Sequence, residues 1–112
     1  MGGAADEPGA PAGGSGPRRG YAVAVQSPGC VVARGELDLT AVDELRAVLD
    51  RAVQDSRVVV DLQLTTFMDS SAAEVLLDLV AEGVIPVLRA PRPVVSRVLH
   101  LLGLGAYVTP TP

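Results

Sequence analysis

The segment Arg57-Val58-Val59-Val60-Asp61-Leu62, with Asp69-Ser70-Ser71 after it, decides the fold. A short and nearly continuous apolar run of this kind is typical of a buried strand in a sheet that helices cover. We expect residues 63–68 to connect this strand to a helix that starts at the Asp-Ser-Ser segment and ends at Gly83, since glycine commonly terminates helices. The segment therefore predicts an α/β unit.

The sequence before this segment predicts a hairpin and a helix. Residues 21–26 and 30–34 are rich in valine and alanine, and turn-forming residues separate them, which favours two antiparallel strands. Residues 35–38 form a connection or extend the second strand. The next helix is predicted to start at Thr40, with the Thr40 hydroxyl as its cap, and to end near Ser56.

The sequence after this segment predicts a strand at 84–88, a helix at 94–102 and a last strand at 106–109. Pro86 places the strand 84–88 at an edge or a bulge, because proline cannot donate to a sheet ladder. The element order predicts one α/β domain over residues 20–112, with a mixed sheet and helices packed mainly on one face. Residues 1–19 contain no Val, Ile, Leu or aromatic residue, so they are predicted to be a disordered tail.

The composition excludes several classes of partner. The net charge is −4 and the chain has no lysine, so no basic stripe exists for nucleic acid. No apolar run reaches the roughly 20 residues that insertion into a membrane requires, so we expect a cytoplasmic protein. Cys30 is the only cysteine, which excludes an internal disulfide, and its apolar neighbours predict a buried, inert thiol.

The residues that catalysis needs are missing or scattered. His100 is the only histidine and has leucines on both sides. The chain has no Gly-x-Ser-x-Gly elbow and no phosphate loop with a lysine, and its carboxylates are dispersed. A small enzyme or nucleotide binder is therefore disfavoured, and we expect no catalytic residue, no metal and no cofactor.

The Asp69-Ser70-Ser71 segment has a structural and a functional interpretation. Ser71 and Glu74 have the spacing of a capping box, so Ser71 is the expected helix cap. Ser70 would then lie just before the cap with its hydroxyl free. A phosphate there would be favoured by the helix dipole and would add a charge of about −1.5 to −2, which makes Ser70 a candidate switch.

Three segments together resemble the STAS domain family, named for sulphate transporters and anti-sigma-factor antagonists. They are Gly35-Glu36-Leu37-Asp38, the segment from Val58 to Ser71, and Val94-Val95-Ser96-Arg97-Val98-Leu99 running into Leu102-Gly103-Leu104. The resemblance implies an anti-sigma-factor antagonist without catalytic activity. Such a protein binds an anti-sigma factor that is also a serine kinase, and thereby releases a sigma factor. The kinase phosphorylates the antagonist, which ends binding, and a PP2C-type phosphatase restores it.

By the same resemblance, Ser70 is the expected phosphorylation site, with Ser71 as the second choice. The expected partner-binding residues are Asp38, Thr40, Met68, Asp69, Ser70, Ser71 and Glu74. Family members commonly continue this motif with Gly-Leu-Gly, whereas this chain has Ala72-Ala73-Glu74. That departure leaves open an alternative function, a STAS subunit that is not phosphorylated and holds together a larger complex, such as a stressosome or an ABC-type lipid-transport complex.

Overall fold

The computed structural model describes residues 20–109, so the predicted tail of residues 1–19 lies outside the described residues. The described chain folds into a five-stranded sheet with three α-helices. Its elements, in chain order, are β1 (Tyr21–Ser27), β2 (Cys30–Leu37), a 3-10 turn (Leu39–Ala41), α1 (Val42–Ala52), β3 (Arg57–Met68), α2 (Ser70–Ala81), β4 (Ile85–Arg89), α3 (Pro93–Leu101), a second 3-10 turn (Gly105–Tyr107) and β5 (Val108–Thr109).

The sheet is mixed, as predicted. The strands lie in the order β1-β2-β3-β4-β5. The β1–β2 pair is antiparallel, and all other neighbours are parallel. In β3, the side chains of Val58, Val60 and Leu62 are at most 1% exposed, whereas Val59 and Asp61 between them are half-buried. The alternation shows that the helices cover one face of the sheet, which confirms the predicted fold class.

The core under the helices is aliphatic, as a chain with 3% aromatic residues requires. Burial of these side chains is the main force that holds helices and sheet together. The largest fully buried residues are Leu37, Leu45, Leu49, Leu62, Met68, Leu76, Leu79, Leu88, Leu99 and Leu104.

Gly35 brings β1 and β2 together at a point where no other residue fits. Its φ of +81° is in the left-handed region. A Cβ added to Gly35 would lie 2.1 Å from the carbonyl oxygen of Gly20. The same carbonyl accepts a hydrogen bond from the Glu36 N–H at 2.7 Å. Glycine is thus required here by close approach of two backbones.

Two predicted boundaries were wrong. The first helix ends at Ala52 rather than near Ser56, because Asp55 and Ser56 take positive φ values of 52° and 60° and turn the chain into β3. The predicted connection 63–68 is part of β3. Polar residues are tolerated there because Gln63 and Thr66 are exposed, and the fully buried Thr65 hydroxyl donates to the Ala33 carbonyl at 2.8 Å.

Two other predictions have different outcomes. The expected buried thiol of Cys30 is half-buried, and its Sγ lies 3.6 Å from Gln26 Oε1. Strand β5 pairs with β4 only at Leu88 and Arg89. Within residues 20–109, no strand therefore pairs with the outer side of β4 at Pro86. The edge position that proline predicts is therefore confirmed for this half of β4.

Candidate functional site

The ends of β2 and β3 place two aspartates at one edge of the sheet. Leu37 and Met68 are register partners at the ends of these parallel strands, and Asp38 and Asp69 directly follow them. The Asp69 N–H donates to the Leu37 carbonyl at 3.1 Å. The two turns are therefore fixed to each other at the carboxyl ends of the strands.

Asp69 is the cap of α2. Its backbone is extended, with φ −97° and ψ 176°, and its carboxylate oxygen Oδ1 accepts the Ala72 N–H at 3.1 Å. The prediction that Ser71 caps this helix was wrong. The bond from Asp69 N–H to Leu37 keeps Asp69 extended, so the helix starts at Ser70 and Ser71 lies in its first turn. Glu74 then falls too far along the helix for a capping box and is exposed.

Asp38 is the cap of the first 3-10 turn. Its Oδ1 accepts the Thr40 N–H at 2.9 Å and the Thr40 hydroxyl at 2.5 Å. The prediction that Thr40 caps the helix was therefore wrong: its hydroxyl donates to Asp38, and α1 follows Ala41 without a side-chain cap. These hydrogen bonds, from the Thr40 side chain first and its N–H second, hold the pKa of Asp38 below its ordinary value of 3.8.

Ser70 is the first residue of α2 and is exposed, whereas Ser71 is half-buried. The N–H groups of the first helical turn have no partner within the helix, and the positive end of the helix dipole lies there. Glu74, four residues on, shares the Ser70 face of the helix. The Ser70 hydroxyl therefore lies at a helix start. The carboxylate residue Asp69 comes directly before it in the sequence, and Glu74 comes four residues after it.

The start of α2 is anchored by small side chains. Ala72 and Ala73 are 0% exposed and belong to the core. Their methyl groups pack against the interior of the domain, so the first turn of α2 is fixed to the core. Met68 is 1% exposed, so its side chain supports the turn from below and offers no surface to a partner.

Two exposed apolar residues beside these turns were not predicted from the sequence. Leu39, between Asp38 and Thr40, is 69% exposed, and Phe67 is 43% exposed. The 3-10 turn that holds Leu39 contacts α2. Apolar residues in loops and at strand ends are usually buried, so the sequence carries no signal that these two face solvent.

For the rest of the described chain, the relevant features are metal sites, membrane-spanning helices and the contacts of the histidine. Between residues 20 and 109, no three His, Cys, Asp or Glu side chains are close enough to hold a metal ion. None of the helices in this range is long and apolar enough to cross a membrane. His100 is exposed and its Nδ1 lies 2.8 Å from the Ser96 carbonyl, which is a local helix contact.

Known proteins resemble this chain in sequence and in structure. A family model described as the STAS domain matches residues 21–112. A search of curated proteins found no match.

Solved structures are also similar to this chain. The chain is similar to the anti-sigma factor antagonist SpoIIAA in its unphosphorylated form, with 28% identity and a TM-score of 0.63 over 82% of this chain and 88% of that one. It is also similar to the Bacillus cell fate determinant SpoIIAA in the phosphorylated form, with 27% identity and a TM-score of 0.56 over 82% and 91%. An anti-sigma factor antagonist from Mycobacterium paratuberculosis shares the fold, with 24% identity and a TM-score of 0.66 over 81% and 86%.

Proposed function

Because the chain belongs to the STAS domain family, we propose that it is an anti-sigma-factor antagonist whose binding is switched by phosphorylation of Ser70. It binds an anti-sigma factor that is also a serine kinase and so releases a sigma factor. The similarity to SpoIIAA supports the general role. We expect the exchange to take place in the cytoplasm and to involve no catalysis by this chain.

The exposure of Ser70 at the first position of α2 is the observation that carries the proposal. A kinase must reach the hydroxyl that it modifies, and Ser70 is reachable in the folded protein. Ser71 is half-buried in the same turn, which favours Ser70 as the acceptor. Asp69 already caps the helix through the Ala72 N–H, so modification of Ser70 need not break the cap.

The charge around Ser70 explains how a phosphate would act as a switch. Asp69 lies directly before it, Glu74 shares its helix face, and Asp38 lies in the turn linked to Asp69. A phosphate would add a charge of about −1.5 to −2 to this acidic surface. A partner that fits the unmodified surface would then meet excess negative charge and a bulky, hydrated group, so the modified form is released. Hydrolysis by a PP2C-type phosphatase would restore binding.

The proposed contact surface combines apolar and polar groups around the two turns. Leu39 and Phe67 supply exposed apolar area, which interfaces use at their centres. Thr40, in the first turn, and Ser70 and Glu74, on α2, are exposed polar residues. Asp38, Asp69 and Ser71 complete the predicted set, whereas Met68 is too deeply buried to belong to the surface.

The test is phosphate mapping with a serine kinase of the anti-sigma type. The full chain, Ser70→Ala and Ser71→Ala are incubated with the kinase and ATP, and the modified residue is located by mass spectrometry. We expect phosphate on wild type and Ser71→Ala and none on Ser70→Ala. Failure of the kinase to bind or modify wild type at either serine would refute the proposal.

Glu74 supports one second candidate, a STAS subunit that is not phosphorylated and holds together a larger complex such as a stressosome or an ABC-type lipid-transport complex. Its exposed carboxylate lies one helical turn beyond Ser70, where a kinase surface must approach. A pull-down with the full chain discriminates the two functions. Recovery of a transport ATPase or a large assembly, with no sigma regulator, would decide for the second.

A further inference from the structure

Strand β1 forms one edge of the sheet. From Tyr21 to Val25 it carries none of the features that protect such edges, and its only irregularity is a register shift near its end, between Val25 and Ser27. Among residues 20–109, no strand pairs with its outer side. Its seven residues, Tyr21–Ser27, include no charged residue and no proline. Exposed edge strands in natural proteins usually carry a charge, a proline, a bulge or a cover, because their unpaired backbone groups attract other strands. The β1 edge is therefore suited to pair with another strand.

The backbone pattern shows which groups face outward. The Gly20 carbonyl points to β2, since it accepts the Glu36 N–H at 2.7 Å. In an antiparallel strand, the direction of the backbone groups alternates from residue to residue. The N–H and C=O groups of Tyr21, Val23 and Val25 accordingly point away from β2. Val25 is also 42% exposed on its side chain.

Helix α1 presents a matching flank above this edge. The Tyr21 hydroxyl donates to Glu44 Oε1 at 3.3 Å, which places the Glu44 side of α1 over β1. Ala47 and Arg51, three and seven residues on, share this face and are exposed. Arg46 is on the other flank, where it pairs with Asp50 on its own helix and with Glu82 at the end of α2.

We propose that a second copy of this chain pairs with β1 in antiparallel orientation, across a two-fold axis near Ala24, and joins the two five-stranded sheets into one. Ala24 is the midpoint of the strand, and centring the axis there places Val23 opposite Val25 of the second copy. Residues at both positions have outward-facing backbone groups, so they can exchange hydrogen bonds. The exposed side of Val25 is then covered.

The charges on α1 identify a second copy as the occupant. The helix runs back from the end of β2, and therefore in the direction of β1, so a two-fold axis sets the two α1 helices antiparallel. Glu44 of each copy then faces Arg51 of the other, with the small Ala47 between them. The seven residues of β1 span about 23 Å and the eleven residues of α1 about 16 Å. Both the strand and the helix therefore contribute to the interface between the copies, which we call the seam. A symmetric dimer requires a surface that fits a rotated copy of itself, and the acidic and basic residues of this helix flank meet that requirement.

The proposed dimer leaves the Ser70 surface free. Ser70 lies at the carboxyl end of β3, and the strands of the two copies run in opposite directions across the seam. The two Ser70 surfaces therefore lie at opposite ends of the joined sheet. One dimer would therefore have two binding surfaces and could engage two partner molecules. The inference of a dimer does not depend on the proposed function.

The test is the oligomeric state of the full chain by sedimentation equilibrium, from about 1 μM to about 1 mM, the range in which a small interface associates. Wild type is expected to dimerise. Val25→Lys and Ala47→Arg are each expected to weaken the dimer by at least about tenfold, since they bring like charges together at the seam. Arg51→Glu is expected to weaken it too, and Glu44→Arg with Arg51→Glu to restore part of the loss.

Matched controls come from the other side of the molecule. Val94→Lys is a comparable exposed valine on α3, and Ala81→Arg a comparable exposed alanine on α2. Both are expected to dimerise like wild type, and thermal melts confirm that every variant is folded. The inference is overturned if wild type stays monomeric throughout the range, which would leave the edge to a strand of another protein. It is also overturned if Val25→Lys and Ala47→Arg dimerise normally, or if the controls are equally impaired.

Discussion

The turn after β2 and the turn after β3 each begin with an aspartate that caps the next helical segment, but they differ in the burial of the residues beyond the cap. After Asp69, Ala72 and Ala73 are fully buried, so packing fixes the start of α2. After Asp38, Leu39 and Thr40 are exposed and only Ala41 is fully buried, so that turn is held by the hydrogen bonds of the cap and by one small side chain. Under the proposed function, the more deeply packed turn would present Ser70 and the more exposed turn would supply a contact for the partner.

The largest expected effect concerns the strand that carries the first turn. Gly35→Ala combines a positive φ with a clash against the Gly20 carbonyl, so we expect a loss of about 2 to 3 kcal/mol in the free energy of unfolding. Urea denaturation measures it. Gly83→Ala is the matched control, because its φ is +89° but nothing lies within 4 Å of the added Cβ. It should cost only about 1 kcal/mol, and equal losses would contradict the backbone clash.

The second effect tests whether the exposed turn serves binding rather than stability. Leu39→Ala removes a side chain that is 69% exposed, so the free energy of unfolding should hardly change. Affinity for the anti-sigma kinase should fall by about tenfold, as expected for an apolar anchor. Leu101→Ala, at a leucine that is 78% exposed on α3, should bind normally. Calorimetric titration measures both variants against wild type, and normal binding by Leu39→Ala would remove this turn from the contact surface.

The third effect compares the two caps directly. Asp69→Ala should lower the free energy of unfolding by about 1 kcal/mol, because the Ala72 N–H loses its acceptor at the start of a twelve-residue helix. Asp38→Ala should cost less, since it caps a three-residue turn at the surface. Denaturation at pH 7 checks the order. An equal or larger loss for Asp38→Ala would remove the distinction between a packed and an exposed turn.

The smallest effect is a pH dependence at the exposed turn. The hydrogen bonds from Thr40 hold the Asp38 pKa below 3.8 in the folded protein. The stability that this lowered pKa contributes is therefore complete above about pH 3.8 and is lost as pH falls through the folded value. NMR titration of the Asp38 carboxyl carbon should give a pKa below 3.8 in wild type and a value closer to 3.8 in Thr40→Ala. A wild-type value at or above 3.8 would contradict the hydrogen-bonded cap.

The elements of the fold could be predicted from the sequence where an apolar run or a glycine gives a clear local signal. The apolar run from Val58 to Leu62 predicted a buried strand, and Gly83, with φ of 89°, follows the helix that it was expected to end. The length of β3 could not be predicted, because the polar Thr65 is buried through a hydrogen bond to a neighbouring strand that local patterns do not contain.

The segment at which α2 starts was predictable, but its cap was not. Asp69, Ser70 and Ser71 are all acceptable helix starts, so local preference could not choose the cap. The choice depends on the bond between Asp69 N–H and Leu37, which joins residues 32 positions apart. The same limit applies to Leu39, whose exposure depends on how the 3-10 turn lies against α2.

The most direct test of the phosphorylation switch is the affinity of the anti-sigma kinase for the full chain before and after stoichiometric phosphorylation of Ser70. We predict that the phosphorylated chain binds at least about a hundredfold more weakly, since a doubly charged group then lies between Asp69 and Glu74 at the contact surface. Thermal melting of both forms should show that the fold is kept. Equal affinity of the two forms would contradict the claim that Ser70 is the switch.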